Sequence, residues 1–580
     1  MILALTGVPL VIVSIIAFIL ILGVIIIIHE GGHFFFARRA GILCHEFSIG
    51  MGPAVYKKKF GETTFCIRAI PIGGYVSMAG EEVTSDLVKV GDQIGLNLID
   101  GKVSEIVTVE DAEAYVRGEV LNVDLYGKDG NPLYITINDG FQDQYYEVMR
   151  DAFYVLKKDT KLQITPYDRS FESKTILQRF LTLFAGPLMN FILAILLYLI
   201  VSFATGVPNY NSNVIGKVSS VNSDMIVETE ETKTTKLLPG DQIQAVLVEK
   251  DWVPVQNWNE INQELGKLLE NASTKVSIKV IREEQEEIVS LDCYTYIVSL
   301  GISNMQEDTS KAVPKELLDE NGKIKGVRLG AIGLRYLNDS KKGEYPIQSG
   351  DILTKIRVDQ VSGKTVIPGT IVDISSWDQL IAIFKDADIV NVQFEYYSYK
   401  KEGIVSIEDC ATLQTYGNEV LDNQRINKIE VKLGISPVMK FDFFQCIGNA
   451  FVDFWEDFTL IFRTLKLLIF PSSGGVRQVG VDDLSSFVGI FDLVKTFVGS
   501  GFLSLLGLMA MLSVNIGVMN LLPIPALDGG RIVFLGYELV TRKKPSKKVE
   551  NIINNVFFIL LMILFVYVTY NDILRMTRKG

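Results

Sequence analysis

MILALTGVPLVIVSIIAFILILGVIIIIHEGGHFFFARR, residues 1–39, holds no charged residue from Met1 to Ile28. An apolar run longer than about 20 residues crosses a bilayer as one helix, because a helix satisfies its backbone hydrogen bonds internally. The stretch has no basic start and no small-residue cleavage site, so it reads as a spanning helix and not as a secretory signal peptide. It ends on HEGGH, residues 29–33. Spacing by four puts His29 and His33 on one helix face, where two imidazole nitrogens can meet one zinc ion while Glu30 addresses a water beside it. Histidine is scarce, the chain having only His29, His33 and His45, so chance does not readily supply this pattern. Ionisable groups at the end of an uncharged span are costly unless they serve a function.

Three further uncharged stretches, 181–204 (LTLFAGPLMNFILAILLYLIVSFA), 496–527 and 551–571, are each long enough to span. The predicted fold is a polytopic α-helical membrane protein with four spans and both termini on one side. Residues 443–470 are also aromatic and apolar but include Asp453, Glu456, Asp457, Arg463 and Lys466. Charges are costly at the bilayer centre, so this segment is expected to be an amphipathic helix lying in the interface or packed on the bundle. Arg38, Arg39, Lys57, Lys58, Lys59 and Arg68 follow the first span, and Arg531, Arg542, Lys543, Lys544, Lys547 and Lys548 follow the third. Both loops are therefore expected in the cytoplasm, with residues 208–441 outside the cell membrane.

At 580 residues the chain exceeds one core. Its 48% apolar and 21% charged residues imply membrane segments joined to water-exposed domains. A net charge of −12 argues against nucleic acid as a partner. Cys44, Cys66, Cys293, Cys410 and Cys446 form no CxxC pair, which indicates neither a disulfide framework nor a thiolate zinc site. Residues 81–180 alternate in places as strands do (PLYITIND) and carry turns such as GKDG, predicting an acidic β-rich cytoplasmic insert. Residues 208–441 contain a degenerate repeat. LLPGDQI (237–243) precedes NWNEI, IQSGDIL (347–353) precedes SWDQL, and LGIS recurs at 300–303 and 433–436. A Gly-Asp turn, an apolar strand and a Trp-led helix resemble PDZ domains of membrane proteases, which implies tandem PDZ-like extracytoplasmic domains that bind peptide termini.

The expected division is a first transmembrane helix with HExxH (1–80), the β-rich insert (81–180), a second transmembrane helix (181–207), a first PDZ-like domain (208–310) and a second, degenerate copy (325–441). An amphipathic helical region (442–495), a third transmembrane helix with a basic loop (496–550) and a fourth (551–580) complete the chain.

A catalytic zinc takes three protein ligands and keeps a fourth position open. His45 is sequence-local, but ILCHEFSIG reads as a strand or loop leaving the membrane. Asp528 in NLLPIPALDGGR is the first charge after more than thirty residues. If spans one and three run the same way, His29, His33 and Asp528 reach the same membrane edge. The alternative for Asp528 is a plain turn before Gly-Gly.

With HEGGH (29–33), GPAVYKKKFGETTFCIRAIPIGGYVSMAGE (52–81), FAGPLMNF (184–191) and NLLPIPALDGGR (520–531), the chain resembles the bacterial site-2 proteases, zinc enzymes that cut substrates within the membrane. The resemblance implies Zn²⁺ held by His29, His33 and Asp528, with Glu30 as catalytic base. It also implies substrate contacts from Asn520 and from a membrane-associated β-loop that includes Gly73, Gly74, Tyr75 and Val76. The substrates it implies are transmembrane segments in the lipid bilayer of the cell, such as anti-sigma-factor-like regulators or remnant signal peptides, cut in regulated intramembrane proteolysis. The sequence departs from the family around VGVDDLSSFVGI (479–490). Two competing readings are a catalytically silent PDZ scaffold and a zinc or ion transporter, in which intramembrane His and Asp mark a pathway.

Overall fold

The computed structural model describes residues 8–579 apart from 81–86, 110–112, 220–235, 305–311, 331–346, 416–428, 470–483 and a few isolated positions. Half of the unusual VGVDDLSSFVGI segment, residues 479–483 and 485, thus lies outside the described residues, and its last four residues open a helix. The chain divides into two compact units, one of residues 1–204, 447–461 and 484–580 and the other of residues 205–446 and 462–483.

In the first unit, α1 (Val8–Arg39) and α2 (Ile176–Thr205) precede α5 (Phe443–Ile469), of which residues 447–461 belong to this unit, and then α6 (Phe487–Ser500), α7 (Phe502–Leu521), α8 (Asp528–Thr541) and α9 (Lys547–Lys579); α3 (Trp258–Glu270) and α4 (Trp377–Phe384) belong to the second unit. Among the described residues four helices, α1, α2, α7 and α9, are long and apolar enough to cross a membrane. The uncharged stretch 496–527 is not one helix, as expected from its composition, but parts of two. Gly501 takes φ +108°, a conformation open to glycine and strained for other residues, and it separates α6 from α7. Beyond Leu521, Pro523 and Pro525 lack the N–H that a continuing helix needs, so Asp528 opens a separate helix, α8.

The core of this unit joins Ile25 of α1, Ala194 of α2 and Leu508, Val514 and Val518 of α7. Phe454 and Phe458 of α5 pack on the same core, and both meet Phe191 of α2 edge-on at 5.8 and 5.9 Å. Thus α5 covers the bundle with its apolar face. Gly32 lets α1 approach α2 closely, since a Cβ there would lie 2.4 Å from the Ala185 carbonyl oxygen.

Two long strands, β1 (Cys44–Phe60) and β2 (Thr63–Met78), fold back on each other. Glu46–Ile49 faces Ser77–Gly74 on one side and Thr64–Ile67 on the other, and Thr63–Ile67 in turn faces Phe60–Tyr56. Gly74–Met78 is therefore an outermost rung. No other strand among the described residues pairs with it.

Residues 93–163 form a small closed sheet. Strands β3 (Gln93–Ile99), β4 (Lys102–Val107), β5 (Val116–Asp124), β6 (Tyr134–Asn138), β7 (Asp143–Lys157) and β8 (Thr160–Gln163) lie in the order β4-β3-β5-β6-β7-β8. The long β7 pairs with β6 through its first residues and with β4 through Val148–Val155, closing a barrel. Alternation places Ile135 and Ile137 of β6 inside with Leu96, Ile106 and Val120.

The second unit repeats one backbone pattern. In one copy Gly240 N–H donates to the Ile215 carbonyl and Ile215 N–H to that of Asp241; in the other, Gly350 and Asp351 make the same pair of bonds with Leu329. Each turn leads into a strand, Gln242–Val248 or Ile352–Ser362, and then into a Trp-led helix, α3 (Trp258–Glu270) or α4 (Trp377–Phe384). The LGIS segments cross over. Ser219 N–H donates to the Gly434 carbonyl, and Gly330 N–H donates to the Ser303 carbonyl. Leu300 and Ile302 sit in the core of the later copy and Leu433 in that of the earlier one. Each repeat is completed by the tail of the other.

Candidate active site

The helical spacing of HEGGH turns both imidazoles of α1 toward α2 and the start of α8. His29 Nε2 and His33 Nε2 lie 3.3 Å apart, and each lies 3.3 Å from Asp528 Oδ2. A tetrahedral zinc with bonds of about 2.0–2.1 Å has ligand-to-ligand edges of about 3.3–3.4 Å. The triangle matches one face of that tetrahedron. Asp528 Oδ2 is buried and makes no hydrogen bond within the protein, as suits a donor whose lone pair is kept for a cation. Among the described residues, these three side chains form the one cluster with this geometry.

The outward nitrogens fix the rings. His33 Nδ1 lies 2.8 Å from the Thr182 carbonyl, to which it donates, leaving the Nε2 lone pair for a metal. His29 Nδ1 lies 3.2 Å from Asn190 Nδ2, the amide orientation in which Asn190 would donate. For His29 to ligate through Nε2, Nδ1 carries the proton, so the Asn190 amide must be turned over to accept through Oδ1, the atom that is otherwise buried without a partner. Gly186 completes the fit, since a Cβ there would lie 2.2 Å from His33 Nε2. Reading the sequence found the FAGPLMNF motif but not these roles; the clue was an amide, Asn190, inside an apolar span. Gly186→Ala is expected to cost most of the bound zinc while α2 stays helical, alanine being the better helix former. Metal analysis beside circular dichroism checks this, and wild-type zinc content in the variant would refute the close packing.

Glu30 is buried beside the triangle but is not part of it. A Cβ added to Gly74 would lie 3.0 Å from Glu30 Cγ and 2.8 Å from Ile26 Cγ2, so the outer rung of the β1–β2 sheet passes directly over α1 at this residue. His29, Glu30, His33, Asp528, Asn520 and Gly73–Val76 all line one cavity of about 1540 Å³. Tyr75 is held in it by Glu46, which accepts from its hydroxyl at 2.7 Å, and by Arg68, which also donates to Ser48 Oγ at 2.8 Å. Arg531 of α8 lines the cavity as well. Burial pulls its pKa down, opposed by the charges of Glu550 and Glu30.

His45 stands apart from the triangle. Its Nε2 lies 3.2 Å from Thr165 Oγ1, and burial, reinforced by the Arg169 cation, lowers its pKa and favours the neutral ring. Just before Asp528, Ala526 takes φ +77°, sparsely populated for a residue with a Cβ, and its N–H donates to Asn554 Oδ1 at 3.3 Å.

Comparison with known proteins gives a consistent match over the whole chain. The model of peptidase family M50 covers residues 17–564. A zinc metalloprotease RasP of Oceanobacillus iheyensis is 30% identical over 569 residues, covering 97% of this chain and 99% of that protein. The zinc metalloprotease RasP of Bacillus licheniformis is 27% identical over 565 residues, with 97% and 99% covered. A relative from Staphylococcus aureus strain N315 is 28% identical over 571 residues, with 97% and 98% covered.

Proposed function

Because the chain belongs to peptidase family M50 and is a multi-pass zinc metalloprotease, we propose that His29, His33 and Asp528 hold its Zn²⁺, that Glu30 is its base, and that it cuts peptide bonds within transmembrane segments. The observation that carries this reading is the 3.3 Å triangle opening into the same cavity as Glu30 and an unpaired strand edge. When bound, zinc supplies Lewis acidity that polarises a carbonyl and acidifies water toward a pKa of about 7. Glu30 takes the proton of the attacking water on its carboxylate and returns it to the leaving amine nitrogen. A transmembrane helix hides its carbonyls in internal hydrogen bonds and must be extended before attack. Pairing with Gly74–Met78 satisfies the backbone groups so freed, as in other β-augmentation. Asn520 offers an amide donor and acceptor to the same backbone.

On this reading the centre lies at the cytoplasmic membrane edge, which the basic loops support. The repeated unit then lies outside, where its two intertwined PDZ-like copies bind peptide ends. The substrate class is a membrane segment freed for cutting, of the anti-sigma-regulator or remnant-signal-peptide kind. Two assays on the full-length protein in vesicles test the proposal: zinc content, and cleavage of a fluorogenic transmembrane peptide before and after chelation. The expected result is one zinc per chain and cleavage that chelation abolishes and zinc restores. Zinc flux without cleavage would favour the transporter, and neither activity would favour a scaffold.

A further inference from the structure

The barrel of β3–β8 is fastened to the strand that borders the candidate centre. Its exit segment binds the base of that strand by main-chain bonds, Phe171 N–H donating to the Ala79 carbonyl at 2.7 Å, Ala79 N–H to Leu43 at 2.9 Å and Leu43 N–H to Arg169 at 2.9 Å. Arg169 also grips Glu62, at the β1–β2 turn, with two bonds of 2.7 and 2.6 Å. Lys59 of β1 lies over the Phe153 ring of β7, 4.6 Å from its centroid.

The barrel also forms part of the cavity itself. Val123 and Asp124 of β5 and Tyr154 of β7, with Lys89 and Val90 just before β3, Leu125 just after β5 and Glu172 in the exit segment, line the same space as His29, Glu30 and Asp528, two carboxylates against one lysine. The outer rung gives this space a direction. It starts at Gly74 over Glu30 and ends at Met78, two residues before the turn at Gly80, where a Cβ would lie 2.7 Å from Ser170 Cβ in the barrel's exit segment. At about 3.3 Å per residue, a peptide paired along Gly74–Met78 covers about 13 Å, and about two residues further on it comes level with Gly80. A chain cut at Glu30 therefore continues toward the barrel. The charge of the insert suits what would arrive, since residues 81–180 hold 19 Asp and Glu against 11 Lys and Arg. Cytoplasmic ends of spans carry an excess of Lys and Arg.

We propose that the cavity-facing wall of the barrel is a second substrate-binding surface, which takes the basic, extended flank of the cleaved segment as it leaves the strand edge. The proposal rests on the protease reading above, and it assigns the insert a part in choosing substrates.

Full-length protein in zwitterionic vesicles, which do not themselves attract a basic flank, is given three reporters that share one transmembrane segment and differ in that flank: Lys-rich, Gln-rich or Glu-rich. The expected order of KM is Lys below Gln below Glu, with about a tenfold spread in total, as one charge-pair interaction gives. Val90 is 66% exposed, so Val90→Lys is not expected to disturb folding, and it should raise KM for the Lys-rich reporter while keeping the zinc. All native cysteines are buried, so Val90→Cys supplies one reactive thiol. It should cross-link to a cysteine about six residues from the cleaved bond on the flank and not to one on the far side. Equal KM for the three reporters, or a preference that survives Val90→Lys with no cross-link, would overturn the proposal while leaving the protease reading intact. Failure of the wild type to cut any reporter would overturn both.

Discussion

Glu30→Gln is expected to keep one zinc per chain and to lose about 10²- to 10⁴-fold in cleavage, the range over which a positioned base acts. The two effects separate because Glu30 is next to the triangle without belonging to it: the three donor atoms at mutual 3.3 Å separations come from His29, His33 and Asp528. Glutamine keeps the size and rotamers of the side chain, which matters where Gly74 allows the outer rung within contact distance of Glu30 Cγ. It removes only the capacity to take up a proton. Metal content and turnover of a transmembrane reporter, measured on the same preparation, decide the matter. Cleavage near the wild-type rate would remove Glu30 from the chemistry, whereas loss of zinc with activity would mean that the variant had disturbed the ligands.

What could be read in the sequence was what is local along it. HEGGH is legible because a helix brings residues four apart onto one face, and Asp528 stands out because more than thirty uncharged residues precede it. The β-rich insert announced itself in the alternation of PLYITIND, although its closure into a barrel depends on β7 turning from β6 to β4, which no pattern within one strand encodes. Composition counts apolar residues without registering a helix break, so the break at Gly501 was invisible in the stretch 496–527. The parts of Gly186, Asn190 and the Thr182 carbonyl depend on how closely α1 approaches α2. That distance exists only in three dimensions. The LGIS repeat was visible, but the crossing of its two copies joins residues as distant as Ser219 and Gly434.

Asp528→Ala should abolish zinc occupancy together with activity, and His45→Ala should retain both. Asp528 supplies the third corner, and two imidazoles alone hold zinc poorly against water. Loss of a ligand itself should exceed the 10- to 100-fold fall in affinity that follows loss of an outer partner of a ligand. The carboxylate also opens α8, and the chain reaches it through two prolines and a strained Ala526, so local backbone geometry is committed to delivering this one oxygen. His45, by contrast, lines the same cavity but spends its Nε2 on Thr165. Titrating zinc into stripped protein of each variant gives the ranking. If His45→Ala loses the metal and Asp528→Ala keeps it, the third ligand has been misassigned, and the 3.3 Å contacts of Asp528 are then an ion pair with two histidines instead of one face of a zinc tetrahedron.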